Sequence, residues 1–231
     1  KTKPVKPKNC DKNEKNILLG KFDYKKDSNF SIVSSKYSSK TIYLRNEVLL
    51  KFDQMYNAAF KDGIKLVIIS GTRSFNHQKY IWDRKWAKNI QKMDSISAVK
   101  EIMKYSSMPS TSRHHWGTDI DLNNLENSYF EIGEGKKIFD WLVENAFKYG
   151  FHMTYDNQEE TKRTGYKMEK WHWSYMPISE QFLIQFNEYI NCENISSFKG
   201  SKFACHPKVD VIKNFVNGIN TDFKKIINVT E

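Results

Sequence analysis

Six histidines occur in this chain, and two of them keep company that suggests chemistry. His114 lies in Ser112-Arg113-His114-His115-Trp116-Gly117-Thr118-Asp119-Ile120-Asp121, and His172 lies in Glu169-Lys170-Trp171-His172-Trp173. A hydrolytic zinc centre needs three protein ligands drawn from imidazole and carboxylate, with a further position left open. It also needs a carboxylate outside the ligand set to move a proton, and a cation or donor to meet negative charge on the reacting oxygen. His114, Asp121 and His172 can supply the ligands. Two neutral imidazoles and one carboxylate leave a divalent zinc with one net positive charge, which favours the acidification of water. Glu169, three residues before His172, is the candidate proton acceptor. An odd offset puts the two on opposite faces of an ideal strand, so this reading requires a turn or bulge at Lys170-Trp171.

Asp119 and Asp121 share one face if 118–122 is a strand. Two uncompensated carboxylates side by side on a core strand would cost several kcal/mol of desolvation, so a cation between them or solvent access for one is required. His115 and Asp119 leave alternative ligand sets open. His77, His152 and His206 read as ordinary hydrogen-bonded histidines. The chain has no HExxH helix, no G-x-S-x-G elbow and no P-loop. The S-x-x-K at Ser196-Ser197-Phe198-Lys199 has no K-T-G beside it and reads as chance.

The elements that would position these residues follow from periodicity. Leu44, Val48, Phe52, Met55, Ala59 and Phe60 recur every three or four residues, which predicts a helix over 43–61 stopped by Asp62-Gly63. Leu66-Val67-Ile68-Ile69 predicts a buried strand, and helices follow over 75–92 and 96–105. Residues 106–117 predict a loop and 118–122 a strand. A helix over 136–148 would place Ile138, Phe139, Leu142, Val143, Ala146 and Phe147 on one face. Residues 151–155 and 171–175 predict strands around a polar loop, and helices near 178–190 and 207–217 close the chain. Helices and short strands mix without βαβ alternation, which predicts an α+β fold. Residues 1–16 read as a disordered arm and 17–41 as an irregular cover. Residues 17–231 read as a single domain with its motifs in 43–178 and a helical extension over 179–231.

The net charge of +10, from 37 Lys and Arg against 27 Asp and Glu, favours anionic partners. The lysines are scattered and no groove-reading or base-stacking motif accompanies them, so nucleic acid is not an expected partner. The apolar residues form no run long enough for a membrane-spanning helix, and no secretory leader is read. Cys192 and Cys205 could pair in an oxidising compartment. Cys10 has no apolar stretch before it and does not read as a lipid anchor.

Together these motifs resemble the zinc D-alanyl-D-alanine carboxypeptidases of the VanY type, within the wider group of lysostaphin-type endopeptidases, D-Ala-D-Ala peptidases and hedgehog domains. The resemblance rests on Ser112-x-His114-x-x-Gly117-x-x-x-Asp121 and Glu169-x-Trp171-His172. It extends to Ser70-Gly71-Thr72-Arg73-Ser74 with Gln78, and to Tyr149-Gly150-Phe151, Tyr155 and Gly165-Tyr166. It implies a small central antiparallel sheet that carries one zinc ion per chain and is flanked by helices. It implies that His114, Asp121 and His172 are the ligands, that Glu169 is the general base and later acid, and that Arg73 stabilises the oxyanion or grips substrate. Gln78, Ser112, Trp171 and Tyr155 would contact substrate. The implied substrate is a peptidoglycan stem peptide ending in D-Ala-D-Ala, which implies an exported monomeric enzyme of the periplasm or envelope. L,D-carboxypeptidase or cross-link endopeptidase activity, or a non-catalytic wall-binding module, are the alternatives. One departure stands out: the family usually has a small residue, often Ala, where this chain has Asp119.

Overall fold

The computed structural model describes residues 11–222. Its elements are α1 (Lys12–Leu18), β1 (Phe30–Ile32), β2 (Tyr43–Arg45), α2 (Asn46–Lys61), β3 (Ile68–Ser70), α3 (Phe75–Asn89), α4 (Ser95–Ile102), β4 (Asp119–Leu122), α5 (Gly133–Asn145), β5 (Phe151–Met153), α6 (Gln158–Thr161), β6 (His172–Tyr175) and α7 (Met176–Tyr189). The fold is α+β, as the mixed pattern predicts. Four antiparallel strands in the order β3-β4-β6-β5 form the main sheet, and β1 pairs with β2 in a separate ribbon.

The main core lies between one face of that sheet and the helices α2 and α5. Val48, Phe52, Met55 and Ala59 come from α2, Ile138 and Leu142 from α5, and Ile68, Ile120, Leu122, Phe151, Trp173 and Tyr175 from the strands. Side chains alternate along a strand. Because Ile120 and Leu122 turn into this core, Asp119 and Asp121 are sent to the other face of β4. Likewise Trp173 and Tyr175 leave His172 and Ser174 on that second face of β6. The register sets Asp121 opposite His172 and Asp119 opposite Ser174.

A second core gathers Trp82 of α3, Val99 and Ile102 of α4, and Phe198, Val209 and Val211 of the C-terminal extension. There the Trp82 indole N–H donates to the Lys199 carbonyl at 2.7 Å, and Cys192 is disulfide-bonded to Cys205. A third cluster joins Leu18 and Leu19 to Trp116 and Phe186.

Several boundaries differ from the sequence expectation, each for a physical reason. The expected arm over 1–16 contains part of a helix. Asp11 and Glu14 form a reciprocal capping box, and Leu18 is buried at the far end. Residues 1–10, including Cys10, lie outside the described residues. The helix expected from residue 43 begins at Asn46, because Tyr43–Arg45 pairs instead with Phe30–Ile32 inside the segment read as irregular cover. On α5 Val143 is exposed, as is Phe147 in the 3₁₀ turn just beyond it, and Trp141 and Leu142 fill the buried face. The helix expected over 207–217 is a single wide turn, Ile212–Val216. Its apolar residues serve two cores: Val209 and Val211 enter the second and Val216 the third.

Candidate active site

The two motif segments meet on the second face of β4 and β6. His114 sits in a 3₁₀ turn, Arg113–Trp116, that ends at Gly117 in the left-handed region with φ +73°. A side chain at Gly117 would also collide with the Phe30 ring, since an added Cβ would lie 2.3 Å from it. Both constraints require glycine here. The turn aims His114 across the sheet, where its ring meets that of His172 edge-on with centroids 4.9 Å apart.

His114, Asp121 and His172 are buried, and each offers one ligand atom within 4.8 Å of the others. Asp121 Oδ1 lies 3.3 Å from His114 Nε2 and 3.1 Å from His172 Nδ1. Zinc bonds of about 2.0–2.2 Å in a tetrahedron place ligand atoms roughly 3.3–3.6 Å apart, so this spacing suits the ion. The orientation suits it too. His114 Nδ1–H donates to the Gly71 carbonyl at 2.8 Å, which leaves a lone pair on Nε2. That nitrogen is buried without a hydrogen-bond partner among the described residues. A buried unpaired acceptor is costly unless something else occupies it.

Glu169 joins them through the turn the sequence reading requires. Strand β6 begins only at His172, whose backbone N–H donates to the Glu169 carbonyl at 3.1 Å. The fold-back brings Glu169 Oε2 to 3.7 Å from His172 Nδ1. Arg73 comes from the loop between β3 and α3, with Nη2 3.8 Å from Asp121 Oδ2. Arg73, Ser112, Tyr155, Tyr166, Glu169, His114 and His172 share one cleft. Gln78 and Trp171 do not line it. The Gln78 side chain accepts from Arg73 Nη1 at 3.1 Å and donates to the Ser107 carbonyl at 2.8 Å, so it holds Arg73 from behind. Trp171 is part of the main core.

The neighbours of the two ambiguous residues give each a position outside the trio. His115 turns away: its Nδ1–H donates to the Arg73 carbonyl at 2.7 Å, and its Nε2 accepts from Ser110 N–H at 3.1 Å. Burial lowers its pKa to about 3, so it stays neutral. Asp119 pairs with Arg113, Nε to Oδ1 3.0 Å. The cation demanded by two adjacent carboxylates is thus partly supplied by the protein. Arg113 went unassigned in the sequence reading, although a buried acid six residues away calls for such a partner.

Electrostatics follow from burial and this close packing of charge. Burial pushes the Glu169 carboxyl up to about 8, against the pull of His172. Burial disfavours the His172 imidazolium, but hydrogen bonds to Asp119 and Asp121 outweigh it and raise the pKa to about 9. Burial raises the Asp121 carboxyl, but the facing His114 and His172 rings outweigh it and leave it well below the usual carboxylate range.

Comparison with known proteins places these features in context. Residues 41–178 match the VanY family, D-alanyl-D-alanine carboxypeptidase. A D-alanyl-D-alanine carboxypeptidase of Enterococcus faecalis is 30% identical over 147 residues, covering 60% of this chain and 52% of its own. The Zn(II) complex of a variant of VanY, a vancomycin-resistance D,D-pentapeptidase, is similar with a TM-score of 0.51 and 25% identity, over 70% of this chain and 94% of that one. The LdcB LD-carboxypeptidase has a TM-score of 0.54 and 26% identity, over 78% of this chain and 81% of its own. The chain spans about half the length of the curated relatives it matches.

Proposed function

The chain belongs to the VanY family of D-alanyl-D-alanine carboxypeptidases, and from that premise we propose that it is a zinc peptidase removing the C-terminal D-alanine of peptidoglycan stem peptides. The observation that carries this reading is the convergence of His114 Nε2, Asp121 Oδ1 and His172 Nδ1 beside the Glu169 carboxylate. Those three residues would hold one zinc ion per chain, which would supply Lewis acidity towards water and the amide carbonyl.

The remaining work falls to the protein. Glu169 accepts the proton of the attacking water and delivers it to the leaving amine. A carboxyl pushed up to about 8 by burial exchanges protons near neutral pH, which this double role needs. Arg73 donates to the carbonyl oxygen as negative charge grows there, and its buried Nε has no other partner among the described residues. Ser112 and Tyr155 line the cleft and contact the peptide. Gln78 and Trp171 act one layer behind, by fixing Arg73 and the core under the sheet.

The protein is a monomer exported to the cell envelope. The Cys192–Cys205 disulfide supports an oxidising compartment, and the basic net charge suits an anionic wall. Among the described residues no helix is long and apolar enough to cross a membrane.

Muropeptide digests analysed by chromatography test the activity. Free D-alanine released from a pentapeptide is expected. Release from a tetrapeptide would move the assignment to L,D-carboxypeptidase, and scission of cross-linked dimers to endopeptidase. Glu169→Gln is expected to lose at least about a hundredfold in turnover, the ordinary worth of general acid–base catalysis. Equal turnover of variant and wild type would remove Glu169 from its role, and no turnover by either would leave a wall-binding module.

A further inference from the structure

Asp119 has no part in the steps above, yet it is a fully buried carboxylate next to the ligands. Its Oδ1 accepts from His172 Nε2 at 3.0 Å and from Arg113 Nε at 3.0 Å. Its Oδ2 accepts from the Thr118 hydroxyl at 2.5 Å. Arg113, equally enclosed, donates from Nη2 to Ser174 Oγ at 2.7 Å, and Ser174 bonds in turn to Ser179 on α7 at 2.9 Å. The other nitrogen of the His172 ring, Nδ1, faces Asp121 Oδ1 at 3.1 Å. Asp119 therefore sits on the far edge of the imidazole from the point where His114, Asp121 and His172 converge, which takes it out of that ligand set.

A buried ion pair is weak evidence for stability, because desolvation of both ions offsets their attraction and a well-packed apolar pair of similar volume does as well. The Arg113–Asp119 pair achieves something an apolar pair cannot. It presents a carboxylate to His172 Nε2–H while adding no net charge to the site.

We propose that Asp119 is a positioning residue for His172: it accepts the Nε2–H, thereby fixing the tautomer whose lone pair lies on Nδ1, and aims that nitrogen at the ion shared with His114 and Asp121. Arg113 and Thr118 hold the carboxylate in place. Metal-bound histidines commonly donate their second N–H to a carboxylate, which orients the ring and makes it a stronger ligand. The proposal rests on the zinc reading above.

Zinc affinity, measured by competition with a fluorescent chelator, and the melting temperature of the metal-free protein together test it. The variants are Asp119→Asn and the double change Asp119→Ala with Arg113→Met, which leaves no lone buried charge. The double variant is expected to bind zinc roughly 10–100-fold more weakly while its metal-free melting temperature stays within a few degrees of wild type. A folded double variant with wild-type zinc affinity overturns the proposal. Histidine ¹⁵N NMR of the zinc-loaded wild type gives a second test that needs no variant. It is expected to show His172 protonated at Nε2 and metal-bound at Nδ1, and the opposite assignment overturns the role. A wild-type protein that takes up no zinc would overturn the metal reading itself, and this one with it.

Discussion

At the scale of the residue, the site couples protons to metal. With its pKa raised to about 9 by Asp119 and Asp121 against the effect of burial, His172 is an imidazolium at neutral pH before a metal enters. Its Nδ1 proton must leave before that nitrogen can bind zinc, so uptake releases protons. Apparent zinc affinity is therefore expected to rise about tenfold per pH unit between pH 6 and 8 from this group alone. Calorimetry in buffers of different ionisation enthalpy checks it, and a pH-independent affinity would contradict it. Spacing alone left His115 and Asp119 open as ligands; the family resemblance singled out His114, Asp121 and His172, and the fold brings those three side chains together. The fold-back of Glu169 was legible as a requirement. The role of Arg113 was not, because a cation's partner is set by the path of the chain in space, and an arginine inside a motif looks like any other basic residue. Gln78 was expected to touch substrate, and its hydrogen bond to Arg73 was not legible, because it depends on how α3 packs behind the cleft.

At the scale of the element, strand alternation does the positioning. Strands β4 and β6 give Ile120, Leu122, Trp173 and Tyr175 to the core and turn Asp119, Asp121, His172 and Ser174 the other way. The core side anchors the site side. Phe52 of α2 packs at the centre of this layer, with its ring 6.4 Å from that of Phe151. Phe52→Ala is expected to destabilise the protein by about 3–5 kcal/mol, the usual cost of emptying a buried aromatic site. A denaturant titration measures this, and a loss under about 1 kcal/mol would mean that the core closes over the gap. Gly117→Ala is expected to weaken zinc binding as well as stability, because the added methyl strains a left-handed turn and strikes Phe30 beside the His114 segment. Helix α2 was legible because it repeats one apolar stripe. The turn near 212–216 was not, because Val209, Val211 and Val216 are shared between two cores. Strand β2 was hidden for a related reason: Leu44 fits the stripe of α2, and only pairing with β1 removes Tyr43–Arg45 from the helix.

At the scale of the whole molecule, the C-terminal extension is a brace. It packs Phe198, Val209 and Val211 against α3 and α4, and α3 carries Gln78 behind the cleft. The disulfide joins residues 13 apart, and a closed loop of about that size is worth roughly 3 kcal/mol. Reduction is expected to lower the unfolding midpoint by a corresponding amount while zinc affinity stays unchanged, since no proposed ligand lies on α3, α4 or the extension. Parallel unfolding and zinc titrations with and without dithiothreitol check both halves.

The alternation in β4 has one more consequence. If β4 slipped against β6 by one residue, Ile120 would face His172 and both acids would point into oil. No partial version of the centre survives that error, so a coordinated ion certifies the pairing of the two middle strands. Cobalt substituted for zinc would turn that certificate into a visible absorption band, and its appearance during refolding would time the moment at which the strands find their partners.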